Sequence, residues 1–258
     1  MKLYGKFFLI NLQSQMQYKV SFFLTIAGQF LASISTFLSL LFIFSRFPEI
    51  KGFTLNQVLL CFAVVQMAFS FAECFARGFD RFPSMISNGE FDRVMVRPRS
   101  AIFQIMAYKM EFARLGRFFQ SLCMLIYAMI ACGVFWSLSK LAVLFLMIIC
   151  GSIIITGLFL VYAGLTFFTV EGLEFMNILT DGGREFGRYP FSVYGKEVLK
   201  FLTYVVPLAL YQYYPLMYLL GKSDKILYGF LPPIGTLFIL PCFAFWRFGL
   251  HRYKSTGS

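Results

Sequence analysis

Chemistry in a protein needs nucleophiles, bases or metal ligands brought together, and this chain offers few candidates. Its single histidine, His251, stands near the C-terminus beside Arg252. The carboxylates Asp80, Glu90 and Asp92 lie close enough in sequence to pair as general acid and base. Arg77, Arg81, Arg93 and Arg97 interleave with them, however, and a salt-bridged loop is the ordinary outcome of that mixture. Gly221–Ser223, GKS, has the ending of a phosphate-binding loop, but the first glycine of that motif belongs at a position held by Leu216, so the motif fails. Cys61, Cys74, Cys123, Cys132, Cys150 and Cys242 sit in or beside apolar runs with no C-x-x-C pair, which reads as packing and not as a zinc site or disulfide framework. These residues argue against an enzyme, and any ATP the protein uses must be bound by another chain.

The elements that would position such residues are written in lipid terms. Of 258 residues 59% are hydrophobic and 14% charged, and the mean hydropathy of +0.73 exceeds what a soluble domain needs to cover its surface. Several apolar runs reach the ~20 residues that carry a helix across ~30 Å of hydrocarbon. The reading is an all-α polytopic membrane protein with six spans, near residues 21–44, 55–76, 118–136, 140–165, 198–220 and 226–247.

The net charge of +11 admits nucleic acid as a partner in principle, so the placement of the basic residues decides. Lys2, Lys6 and Lys19, the group from Arg77 to Arg117, then Arg184, Arg188, Lys196 and Lys200, and finally Arg247, Arg252 and Lys254 all fall on one side of the six-span reading. Arg46, Lys51, Lys140, Lys222 and Lys225 fall on the other. This positive-inside asymmetry puts both termini in the cytoplasm and accounts for the charge without nucleic acid. No cleaved signal peptide is expected, because FFLI is too short and the run from Val20 too long for an h-region. Residues 1–19 read as an interfacial helix with Leu3, Phe7 and Ile10 on one face, against the alternative of a frayed polar tail.

Within the spans, Thr25, Gly28, Ala32, Ser35 and Ser39 recur at helical steps and predict a face that packs on another helix; Gly157 and Gly164 repeat that signal more weakly. Glu73 is the one ionisable residue inside a span, four residues before Arg77, which predicts an i,i+4 pair or snorkelling. Gln29 and Gln66 are the deepest polar residues of the first two spans and are candidates for a substrate path or, alternatively, for helix–helix hydrogen bonds. Pro207, Pro215, Pro232, Pro233 and Pro241 break the last two apolar runs. That predicts a re-entrant segment before the last span, around Gln212 to Asp224, or else an ordinary kinked span with Tyr211, Tyr213, Tyr214 and Tyr218 in an interfacial belt.

The long loop 77–117 has internal order. Phe79, Phe82 and Ile86 share one helical face, Pro83 suits a first turn, and Gly89 can end the helix. Such a short helix, aromatic on one side and charged on the other, predicts a knob for a groove on a soluble partner.

With GEFDRVMVRP (Gly89–Pro98) after the second span and RYPFSVY (Arg188–Tyr194) before the fifth, the whole chain resembles the membrane subunit of type-2 ABC exporters, in their compact six-span branch. The resemblance implies a permease of a bacterial plasma membrane that works by alternating access. It implies a cytoplasmic ABC ATPase dimer as partner, which holds ATP and Mg, and a second six-span membrane subunit, identical or related; this chain itself binds no cofactor. It assigns Phe79–Asn88, including Asp80, Arg81, Phe82, Met85 and Ile86, to a coupling helix in an ATPase cleft. Gly89, Glu90, Asp92, Arg97 and Pro98 brace the turn behind it, and Arg184, Glu185 and Arg188, in the cytoplasmic segment 171–197, make a second ATPase contact. That segment is fuller than the family's minimal connector, which leaves the start of the fifth span open. The scarcity of charge in the spans fits an amphipathic or apolar cargo better than a bare ion. The competing readings are an ion-coupled secondary transporter, which needs a coupling-ion site near the midplane, and a membrane scaffold that merely docks another protein.

Overall fold

The computed structural model describes residues 2–169 and 175–253. Apart from one hairpin the ordered elements are helical. α1 (Lys2–Met16) and α2 (Lys19–Arg46) are followed by β1 (Glu49–Ile50) and β2 (Phe53–Thr54), which pair antiparallel. Lys51 and Gly52, both with positive φ, make the two-residue turn that such a hairpin requires. α3 (Leu55–Ala76) starts where Gln57 Oε1 accepts from Thr54 N and runs on through a 3-10 stretch, Arg77–Arg81, into α4 (Phe82–Ser87). Gly89, left-handed at φ 68°, separates α4 from α5 (Glu90–Met95), and α6 (Ala101–Tyr108) is capped by Ser100 Oγ.

α7 (Leu115–Ala131) and α8 (Leu138–Thr169) follow. α7 ends short of the expected Trp136 because Gly133 turns left-handed, and Trp136 Nε1 folds back to donate to Met129 O at 2.9 Å. The chain then forms α9 (Phe175–Phe186), α10 (Lys196–Tyr204), α11 (Leu208–Tyr211), α12 (Tyr213–Leu219), α13 (Leu231–Gly235) and α14 (Ile239–Arg252).

Among the described residues four stretches are long and apolar enough to cross a membrane: Lys19–Arg46, Leu55–Ser87, Leu138–Thr169 and Ile226–Arg252. The chain is therefore a polytopic, helical membrane protein. The expected span 198–220 is not one helix: Pro207 lacks the N–H that would continue α10, and the chain kinks again at Gln212 to give α10, α11 and α12. A different element lies in the bundle instead. The Cβ positions of Gly183 and Gly187 on α9 and its extension meet Phe69 and Val65 of α3, and Val65 is midway along α3. Residues 183–187, within the segment 171–197 expected to be cytoplasmic, therefore pack against α3 between its middle and its end; residues 170–174 lie outside the described residues.

α1 lies against α6 and the 110–112 turn. Tyr4, Phe8 and Leu12 pack on Met110 and Phe112, and Asn11 Nδ2 donates to Ala107 O at 3.1 Å. The expected face is thus rotated: Ile10 is exposed, and the Leu3 side chain is outside the described residues. On α2, Thr25, Gly28, Ala32 and Ser35 are all exposed, so within one chain the small-residue face covers nothing.

Close approaches lock the loop to the bundle. A Cβ on Gly78 would stand 1.9 Å from the backbone oxygen of Ile105 in α6, whereas one on Gly5 of α1 meets nothing within 4 Å. Gly78→Ala is expected to destabilise the protein by about 1–3 kcal/mol through overpacking, with Gly5→Ala neutral, as read by thermal unfolding in detergent; equal melting temperatures would refute the packing.

Candidate functional site

Two clusters occupy the arginine-rich end of the bundle. The first is aromatic. Phe82 lies 4.9 Å from Phe91, 5.0 Å from Phe167 and 4.9 Å from Trp246, centroid to centroid, and Phe91 lies 5.1 Å from Tyr253. Rings from α4, α5 and α8 thus join those of α14 and the residue after it, each pair adding about 0.5–1.5 kcal/mol beyond simple burial. Phe79 is 1% exposed, Phe82 0%, and Met85 and Ile86 2% each. The expectation that this face docks on a soluble partner is therefore corrected: the phenylalanines point into their own bundle, because the ends of α8 and α14 supply the groove. Asp80 sits beside them, paired at 2.7 Å with Arg77 Nε. What α4 and its flanks expose is Arg81, Ser84, Ser87 and Asn88.

The turn behind α4 is held by tyrosines. Tyr108 OH donates to Glu90 Oε2 at 3.2 Å, and Tyr253 OH donates to Asp92 Oδ1 at 3.0 Å; burial and the neighbouring carboxylate push the Tyr253 hydroxyl up to about 12. Gln104 Nε2 donates to Val94 O and Arg99 O, both at 3.0 Å. Arg97 and Pro98 are exposed beyond this brace.

The second cluster is ionic and centres on Glu73, 2% exposed in the last turn of α3. The expected i,i+4 partner Arg77 is its most distant cation, Nη1 lying 3.9 Å away. Arg184 Nη1 from α9 is at 2.8 Å, Arg114 Nε at 3.3 Å and Arg117 Nη1 at 3.6 Å. Glu111 extends the network to Arg114 Nε at 3.1 Å and Lys109 Nζ at 3.4 Å. Burial acts to raise the Glu111 carboxyl, but Arg114, Arg77 and Lys109 together prevail and hold it below the ordinary carboxylate range. On α9 itself Asp181 and Glu185 flank Arg184 at 3.4 and 3.6 Å, and Arg188 pairs with Glu185.

The structure therefore brings Arg184, expected with Glu185 and Arg188 to make a second ATPase contact, to Glu73, with Glu185 and Arg188 paired beside it. The sequence carries a signal for this: Gly183 and Gly187, four apart, give α9 a small face for close helix approach. Gln66 is committed to helix packing, donating to Ser33 Oγ at 3.4 Å while Ser33 Oγ donates to Gln120 Oε1 at 2.6 Å. Gln29 Oε1 is buried without a hydrogen-bond partner among the described residues.

Sequence reasoning missed Gln212 as a site. It is fully buried at the kink between α11 and α12, where Nε2 donates to Tyr189 O at 2.8 Å and Gly187 O at 3.2 Å, and Oε1 accepts from Phe191 N at 3.4 Å. One side chain thereby satisfies the backbone that the end of α9 leaves open at bundle depth. Among the described residues no three His, Cys, Asp or Glu side chains are grouped to hold a metal ion.

The family described as ABC-2 family transporter protein matches the chain over residues 30–257. No curated protein and no solved structure matches it.

Removing the Glu73 charge leaves arginines facing one another. Glu73→Gln is expected to cost about 3 kcal/mol of stability. Adding Arg184→Gln should recover at least about 1 kcal/mol of it, because the pair is coupled. Thermal unfolding of the two single variants and the double variant checks this, and strictly additive losses would show that the pair does not hold α9.

Proposed function

Because this chain belongs to the ABC-2 transporter family, we propose that it is the permease subunit of an ATP-binding cassette exporter in a bacterial plasma membrane, with both termini cytoplasmic. The observation that carries the reading is mechanical. α4 and α5 are packed by their rings on α8 and α14, and α4 continues from α3 through Arg77–Arg81, so a displacement applied to the exposed face of α4 is delivered to three membrane helices at once.

In this reading the exposed side of the coupling element, Arg81, Ser84, Ser87 and Asn88, meets a cytoplasmic ABC ATPase dimer that holds ATP and Mg. Phe79, Phe82, Met85 and Ile86 carry the movement inward. Six crossings follow if α7 is the third and the fifth is made by α9 together with residues 208–219 in place of 198–220. The chain between Pro190 and Pro207, with α10, then forms the re-entrant part. The exposed face of α2, with Thr25, Gly28, Ala32 and Ser35, receives the second membrane subunit, since small residues let helices approach closely in lipid. Cargo moves by alternating access between the two subunits.

One observation favours a second reading. An ion-coupled transporter needs ionisable residues at depth, and α9 supplies Asp181, Arg184, Glu185 and Arg188. Dependence on ATP separates the two.

Ser84→Trp on the exposed face of α4 is expected to abolish co-purification with the co-expressed ATPase and to reduce ATP hydrolysis by the complex about tenfold or more, with an unchanged melting temperature. Lys51→Ala, in the turn of the β hairpin, is the control. Association and hydrolysis that both survive Ser84→Trp would remove α4 from the coupling role.

A further inference from the structure

We propose that the outward face of α14 binds an anionic phospholipid, whose headgroup is held by Arg247 and Arg252 in the leaflet at the arginine-rich end of the bundle. Three observations carry it. First is the state of the two charges. Arg77, Arg114 and Arg184 each meet a carboxylate of this chain. Arg247 and Arg252, both exposed, pair with none among the described residues and lie instead over rings of their own helix, 5.6 Å from the centroid of Phe243 and 5.2 Å from that of Phe248. Each ring stands one helical turn earlier, so each guanidinium is turned back toward the start of α14 and the hydrocarbon, not out to water. A cation held at that depth requires an anion there. The bilayer supplies phosphate at this boundary, and the arginine fork binds phosphate with two parallel hydrogen bonds.

Next is the surface below the charges. Ile226–Arg252 is long and apolar enough to cross a membrane, and Leu237, Leu240, Phe243 and Phe248 along it are exposed. An acyl chain therefore has an apolar track that ends at the two guanidiniums. His251 fixes the last turn between them: its Nδ1 donates to Arg247 O at 2.6 Å, since a carbonyl oxygen only accepts. An acidic protein surface would match the charges but not the exposed leucines at membrane depth.

Finally there is the place of the helix in the bundle. α14 packs on α8, α8 on α3, α3 on α7 and α7 on α2. It therefore stands at the opposite edge from the α2 face proposed for a second subunit, where bilayer lipid reaches it. The other side of α14 is tight: a Cβ on Gly249 would stand 2.6 Å from Phe167, and the Trp246 ring lies 4.9 Å from that of Phe82. A headgroup bound outside thus holds the helix that closes the aromatic cluster around α4.

Dioleoylphosphatidylglycerol and dioleoylphosphatidylcholine test this, since they share chains and phosphate, and the choline of the second adds a cation that opposes the arginines. The full chain, freed of lipid in detergent, is titrated with each and with inorganic phosphate, alone and with the co-expressed ATPase, and bound molecules are counted by native mass spectrometry. Phosphatidylglycerol should bind about tenfold or more tightly than phosphatidylcholine. Inorganic phosphate should bind at least about tenfold more weakly than phosphatidylglycerol, because it has no chain to lay on the apolar track. Arg247→Gln with Arg252→Gln should erase the preference between the two lipids. Lys6→Gln with Lys19→Gln, which removes the same charge from exposed residues of α1 and α2, should leave it intact. If the α14 double variant does not fold, Arg252→Gln alone should still lower the ratio about threefold or more. Equal affinity for the two lipids, a preference that survives the α14 substitutions, or inorganic phosphate binding as tightly as phosphatidylglycerol overturns the proposal. So does loss of the preference in the complex with the ATPase, because the face would then belong to that partner.

Discussion

One buried carboxylate organises the arginine-rich end of this protein. Taking Glu73 out of water alone would cost several kcal/mol, and no apolar neighbour offsets that. The cost is met by collecting Arg77, Arg114, Arg117 and Arg184 from the end of α3, the turn before α7, α7 itself and α9. Each is partly shielded from solvent, so the attractions are stronger than those of surface pairs, and each needs its own second acceptor because one carboxylate cannot satisfy four guanidinium groups. Asp80, Glu111 and Asp181 provide these for Arg77, Arg114 and Arg184, whereas Arg117 Nη1, 3.6 Å from Glu73, has no hydrogen-bond partner among the described residues. The placement of α9 against α3 is a consequence: with Arg184 drawn to Glu73, position 187 must be a glycine to let the chain reach Val65, whereas a Cβ at Gly183 would meet Phe69 in ordinary contact.

That dependence explains which parts of the fold were legible in the sequence. α2, α3 and α8 announce themselves as apolar runs because an apolar surface is needed whether lipid covers it, as on α2, or neighbouring helices do, as on α3. α9 does not, because Asp181, Arg184, Glu185 and Arg188 follow the same local rule that marks a cytoplasmic connector, and only the tertiary pairing with Glu73 makes them tolerable at depth. Proline behaved as local chemistry demands, breaking the run at Pro207. The break alone did not tell which neighbouring segment would cross, because that depends on Gln212, whose side chain satisfies the open backbone at Gly187, Tyr189 and Phe191.

The loop after α3 shows the same limit from another side. The spacing of Phe79, Phe82 and Ile86 marked a face that must be buried, and it is. Periodicity identifies such a face without saying what buries it. Phe167, Trp246 and Tyr253 come from far along the chain, and none of them is marked in the local sequence around α4. Buried rings cannot grip a partner, but they can transmit force, because a packed core moves as a unit and does not deform gradually. In the proposed permease the contact surface passes to the short polar residues on the outer side of α4, where little side-chain entropy would be lost on docking.

A single chain is incomplete as a membrane object. Two faces that lipid should not touch are uncovered: the small, polar side of α2 and the ionisable side of α9. The first loses only packing when left in hydrocarbon, but the half-exposed carboxylates of the second would lose hydration there. The two faces therefore set different requirements on whatever covers them. Close packing with another helix satisfies α2, whereas Asp181 and Glu185 are paired with Arg184 and Arg188 and keep their outer, half-exposed side for water. An assembly that seals along α2 and stays wet along α9 meets both requirements, and it leaves the ionic cluster at the mouth of the wet side, within one helical turn of the element that α4 moves.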